Sequence, residues 1–586
     1  MKLQSMARLA LVAAGLLAAA QAEAQGGGSS AANDPRVGLT AGWNNAGQAG
    51  SNMELVSNTQ RPAGFFDPAD SGNFSFAVSD MAFRGNLLFA GGYHGLQVYD
   101  ISNPDAPRVR ATLACPGGQG DVSVYGNLLF YSVEETRGRL DCGGQGVRDT
   151  VSAERFRGVR IFDITNIDAP RQVASVQTCR GSHTHTLVPD PRDAGTIYVY
   201  VQGTSVARSP SELAGCVRSP QDTASAYFRI EVIRVPLANP QQARVVNAPR
   251  IFADPQTGNI AGLWQGGAHG AGTQTTSQTN QCHDITVYPQ VGLAAGACSG
   301  NGILLDIRDP ANPRRVEEVT DPNFAYWHSA TFNNDASTVI FTDEWGGGAG
   351  PRCRATDPPL WGSNAIFTLA NRELRPAGHF KLPAPQTAQE NCVAHNGSLV
   401  PVPGRDIMVQ AWYQGGISVF DFSDPAKPVE IAFFDRGPMA ESLVLGGYWS
   451  AYWYNGLIYG TEINRGVDVL RLGTSMHLSH NELEAAKLVR MEQWNPQMQT
   501  RIEWPAAFVV SRAYLDQLVR SRGVSTAAIA RIADDLNRAE AMGAGAERRA
   551  VLNRLAGYVD GQARGADARR VRALAASVRA LARAGS

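Results

Sequence analysis

Four of the chain's ten histidines recur at one place in a repeating pattern of short apolar strands. His283 opens the run HDITV, and the same register places His183 before THTLV, His328 at HSATF and His395 at HNGSLV. Three further repeats carry Ser79, Gly120 and Trp449 there. Acids recur at the end of the next strand: Glu134, Glu344 with Asp343 beside it, and Glu462, while His185 and Asp284 lie close to the histidine positions. Neutral imidazoles offer lone pairs, and one or two carboxylates offset a cation's charge. Such a donor set suits a divalent transition metal such as Cu, Zn, Fe or Mn. A carboxylate can equally orient a histidine from behind. Three or four ligands with one open position would polarise a substrate or activate water. The rival account is structural: repeats that descend from one ancestor copy a histidine that only bonds backbone or channel water.

The elements that position these residues are strands. The phrase GLQVYDISNPDAP ends at Pro107, GVRIFDITNIDAP at Pro170 and GISVFDFSDPAKP at Pro428, with a shorter copy, GILLDIRDPANP, ending at Pro313. Each is an alternating apolar strand running into an Asp/Asn/Pro turn. Weaker echoes occur at 231–240, 364–370 and 466–472. The aspartates of these turns (Asp100, Asp163, Asp306, Asp421) read as turn formers rather than calcium ligands. Two apolar strands precede each phrase and a fourth follows it. Four short strands in each of seven repeats predict a seven-bladed β-propeller over 53–472. Strand-like sequence at 53–66 precedes the first full repeat, and the seventh stops at Leu472 without a fourth strand. The N-terminal strand is therefore expected to complete the last blade. Equivalent positions in neighbouring blades converge on the axis, which would bring the four imidazoles together at one channel mouth.

Composition excludes several classes. Lys and Arg (52) balance Asp and Glu (53), which leaves no electrostatic footprint for nucleic acid. Residues 1–22 read as a signal peptide, with Lys2 and Arg8 before an apolar run and Ala20-Gln21-Ala22 as the cleavage site. Residues 23–52 read as a flexible leader. No later run is apolar for long enough to cross a membrane, so an exported protein, periplasmic or at the cell surface, is expected. Eight cysteines in an oxidising compartment predict four disulfides. Proximity in sequence favours Cys115–Cys142, Cys179–Cys216, Cys282–Cys298 and Cys353–Cys392, and the absence of a CxxC pair argues against a zinc cluster. Past residue 472 the composition turns to Ala, Arg, Leu and Glu. A capping box at Ser479–Glu482 and three- to four-residue apolar spacing predict a bundle of about four helices in a small domain over 475–586.

The phrase VYDISNPDAP resembles the LVIVD repeat, a family of exported bacterial β-propellers without assigned chemistry. That resemblance spans roughly 53–472 and implies the fold, not the function. The histidine layout is also similar to that of the methanethiol oxidase (selenium-binding protein) propellers, whose channel histidines bind a metal. No motif of that family is matched, so no residue is carried over from it. Two function classes stay open. One is a metal-dependent oxidoreductase or hydrolase acting on a small molecule through the histidines and acids above. The other is a non-catalytic propeller that binds a protein, peptide or glycan of the envelope through long loops such as 203–226 and 255–281.

Overall fold

The computed structural model describes residues 33–70 and 72–584. The signal peptide expected at 1–22 lies outside them. Seven antiparallel sheets form a seven-bladed propeller. Blade one shows the plan: Val78–Arg84, Leu87–Gly92, Gly95–Asp100 and Arg108–Ala114 pair in order from the axis outward. The inner strands are buried along nearly their whole length, whereas the outermost strand of blade one is largely exposed. Each interface between blades holds its own buried apolar cluster, such as Phe89, Val98, Leu129 and Phe162 between blades one and two. Ring closure therefore follows from seven similar wedges and not from one central core.

The repeat phrase forms the third strand of its blade. Its terminal aspartate accepts the main-chain N–H two residues on, at 2.9 Å for Asp100 and Asp163, 3.1 Å for Asp306 and 2.8 Å for Asp421. These carboxylates build turns.

The last blade closes with the strand Met53–Thr59, which pairs with Gly466–Leu472. The leader departs from expectation. Gln48–Ser51 is a strand that adds a fifth member to blade six by pairing with Ser51↔Phe433 through Gln48↔Arg436. Upstream, Arg36 is buried and paired with Asp34 at 2.8 Å and Glu430 at 2.7 Å, and Arg465 donates to the carbonyls of Gly42 and Trp43. A buried guanidinium stays in place only with such partners, so flexibility does not extend to residue 52.

In the C-terminal part a short helix, α1 (His480–Lys487), precedes four helices, α2 (Phe508–Ser521), α3 (Thr526–Ala541), α4 (Ala546–Asp560) and α5 (Ala568–Ala584), that share one apolar core as expected. The capping box at Ser479 and Glu482 is present. Between α1 and α2 the chain is not helical but runs as a strap across the inner-strand ends, away from the histidine face. Gln493–Trp494 pairs with Phe83 and Arg84 of blade one, and the Asn495 amide bonds both N–H and C=O of Val124 in blade two. The main chain of Gln497 and Gln499 brackets Val287 in blade four, and the Gln499 amide bonds N–H and C=O of Phe332 in blade five. Trp504 reaches the carbonyl of Pro401 in blade six. The strap lies at the end of the channel opposite the histidines. The Arg-rich α5 buries its apolar face (Val571, Leu574, Val578, Leu581) inside the bundle, so it presents none to a membrane. Among the described residues no helix is long and apolar enough to span one.

Candidate metal centre at the channel mouth

The four histidines stand where inner strands begin at one end of the channel. His183, His283 and His395 each donate their main-chain N–H to the second strand of their own blade, to Gln202, Ala297 and Ala411. His328 sits at an irregularity, where the pairing of Trp327–Phe332 with Thr338–Asp343 slips between Trp327 and Ala330. That bulge turns its ring into the channel. Neighbouring inner strands are stitched together: Gln119 Nε2 donates to the His183 carbonyl at 3.0 Å, and Thr184 Oγ1 to that of His283. The imidazoles form a continuous arc. Ring centroids are 4.3 Å apart for His183–His283, 3.7 Å for His283–His328 and 4.4 Å for His328–His395.

Three of the acids behave differently from one another. Glu344 faces the arc, with Oε2 3.7 Å from His328 Nε2 and Oε1 3.7 Å from His395 Nε2. The Tyr413 hydroxyl donates to Glu344 Oε1 at 2.7 Å and fixes the carboxylate. Glu134 lies behind the arc, 2.7 Å from His183 Nδ1 and 3.1 Å from Thr204 Oγ1, where it orients the ring. Glu462 does not belong to the site. It accepts the N–H groups of Gly447, Asn464 and Arg465 and pairs with the Arg465 guanidinium at 3.0 Å. Asp343 is likewise a structural residue, taking the N–H groups of Ala325, Tyr326 and Gly362 at 2.8–2.9 Å. His185 points deeper into the channel, 2.8 Å from Ser132 Oγ and 3.2 Å from Asp121, away from the four rings. Asp284 contacts His283 Nδ1 at 3.1 Å and so backs that ring.

Electrostatics divides the arc. Burial, and then the neighbouring imidazoles, hold His283 and His328 well below the usual histidine range, and burial takes His395 down to about 3. These three rings are neutral near pH 7, each with one unprotonated nitrogen. For His183 burial works in the same direction, but the Glu134 carboxylate outweighs it and raises the pKa. His183 Nε2 lies 2.6 Å from His283 Nε2, so a protonated His183 donates to its neutral neighbour. Burial also lifts Glu344 to about 7, against the Tyr413 hydrogen bond.

His283, His328 and Glu344 each offer a donor atom within 4.8 Å of the other two, all buried, and could hold a metal ion. Both ring nitrogens of His328 are buried and lack a hydrogen-bond partner. Buried polar atoms are nearly always satisfied, so an orphaned imidazole beside a carboxylate fits a ligand position.

Above these groups lies a cavity of about 520 Å³. The histidines, Glu344 and Tyr413 form one wall, and Phe74, Tyr93 and Trp449 the opposite one, on the side of the blades without histidine. Gly346–Gly348 makes the rim. At Gly348, φ is +66° and a Cβ would lie 2.3 Å from the Tyr413 ring, so only glycine lets Tyr413 reach Glu344. Tyr413 was not among the residues expected from sequence. It follows the second strand of blade six (Ile407–Ala411), the same place in its blade as the acids, so a search of that position for any hydrogen-bonding side chain finds it. The four disulfides form in the expected pairs. Cys282 directly precedes His283, and Cys392 lies three residues before His395.

No protein-family model matches the chain, and no curated protein matches it. Among solved structures, hydrazine synthase of Kuenenia stuttgartiensis superposes with a TM-score of 0.40 at 13% identity, over 67% of this chain and 94% of that one. The computationally designed Ika8 protein gives 0.33 at 9% identity, over 67% and 95%. A functionally unknown protein from Desulfotomaculum acetoxidans gives 0.36 at 11% identity, over 63% and 87%. Likenesses this distant assign no function, and the fold rests on this chain's own strand pairing.

Proposed function

We propose that this protein is an exported propeller that holds a divalent transition metal through His283, His328 and Glu344, with His395 as a further donor, and acts on a small molecule in the cavity above. The observation that carries this reading is His328, buried with both nitrogens unpartnered between two imidazoles and a carboxylate. Mixed imidazole and carboxylate donors suit Zn, Cu, Fe or Mn. A bound metal would supply Lewis acidity toward a substrate oxygen or sulfur. The chain's own residues do the rest: Tyr413 holds Glu344 in place, Glu134 orients His183, and the aromatic wall excludes water from the opposite side. Four disulfides fit an oxidising compartment, which supports export.

The test is elemental analysis of protein purified without a metal-affinity step, beside a His283→Ala/His328→Ala variant. Near-stoichiometric metal in the wild type and its loss in the variant is the expected result. A wild type that stays metal-free after exposure to each of the four metals sinks the proposal.

A further inference from the structure

A second cavity, of about 410 Å³, opens between the loops that follow the second strands of blades two and three. Six arginines line it: Arg137, Arg148, Arg155, Arg157, Arg208 and Arg218. Only two acids, Asp149 and Glu212, face them, an excess of four positive charges in a chain whose net charge is −1. Arg155 and Arg208 share the single carboxylate of Glu212. Arg157 is 2% exposed, yet its guanidinium meets only carbonyls, Glu134 O at 3.1 Å and Val206 O at 2.8 Å. Arg218 likewise donates to the Ala207 carbonyl, and Arg148 makes no hydrogen bond or ion pair among the described residues. Burying a guanidinium without a counter-anion is costly. A wall with this surplus is complementary to an anion that carries more than one charge, and forked guanidiniums match tetrahedral oxyanions. The loops are also pre-set: Cys142 and Cys216, one in each, are tied by disulfides to Cys115 and Cys179, and Arg155 bonds the carbonyls of Thr136 and Thr150. Rigid loops lower the entropic cost of binding.

We infer that this cavity is a binding site for a sulfate or phosphate group, separate from the metal centre. Its volume exceeds that of the free ion and leaves room for an organic portion, so the ester is the expected form. The proposal is tested by isothermal titration of the full chain in low-chloride buffer with four probes: sodium sulfate, sodium phosphate, glucose 6-sulfate and glucose 6-phosphate. One saturable site per chain is expected, at least tenfold tighter for an ester than for its free ion. Equal affinity for the two would assign the free ion instead and still uphold the site. An Arg148→Ala/Arg218→Ala variant alters only rim residues, and its thermal midpoint checks that the fold is retained; it should bind at least tenfold more weakly. No saturable binding of any probe, or unchanged affinity in the folded variant, would overturn the inference.

Discussion

At the residue scale, Asp343 and Glu344 show how adjacent acids come to opposite roles. Asp343 receives three main-chain N–H groups and leaves no oxygen for the channel, whereas Glu344 is fixed by one hydroxyl and faces two imidazoles. Asp343→Asn places an amide N–H against a main-chain N–H and should destabilise the fold by about 2 kcal/mol, read from urea unfolding, with metal per folded molecule unchanged. Glu344→Gln should do the reverse: little loss of stability but at least tenfold weaker metal binding, measured by competition with a chromophoric chelator. If Asp343→Asn lost the metal while remaining folded, the assignment of the two acids would be wrong. The histidines were legible in the sequence because blades repeat, so a shared register implies a shared place around the axis. The acids were not separable that way. Glu134, Glu344 and Glu462 occupy similar places, and only local partners, such as Arg465 three residues after Glu462, decide which of them faces the channel.

At the element scale, the strap between α1 and α2 holds the far ends of inner strands with side-chain amides that stand in for a neighbouring strand. Asn495 and Gln499 each satisfy both main-chain groups of one inner-strand residue. Gln499→Ala removes both bonds to Phe332 and should cost about 1–3 kcal/mol. Amide exchange should accelerate at Phe332 and not at Val124, since local opening tracks the lost partner; uniform acceleration at both would mean that the strap opens as a unit. The sequence read this stretch as part of a helical domain because its partners lie more than a hundred residues away in the chain, beyond the reach of any local periodicity. The helices were readable by contrast, since their apolar spacing and the capping box are local signals.

For the whole molecule, the bundle and the ring meet around Asp406, which lies beside Asn333, Asp335, Asp421 and Arg569 of α5. Burial pushes Asp406 up to about 6, against the hydrogen bond from Asn333 at 3.0 Å. A folded pKa above the unfolded value near 3.9 means that the folded state binds the proton more tightly. The stability this confers is full below pH 4 and is lost as pH rises through 6. Asp406→Asn keeps an acceptor for Asn333 and escapes that loss. Its stability relative to the wild type should grow between pH 4 and pH 7 by about 2 kcal/mol, with partial solvent contact allowed for. A difference independent of pH would show that Asp406 is charged at no cost. The ring itself was legible because each strand and turn repeats. The segment at 34–52 was not, because Arg36 finds its partner Glu430 394 residues away along the chain.

The most direct measurement of the central claim is an anomalous difference map from crystals of the purified protein, collected at the absorption edge of whichever metal it carries. A single peak within bonding distance of His283, His328 and Glu344 at the channel mouth is the predicted result. A peak elsewhere, with these three side chains unbound, would contradict the account.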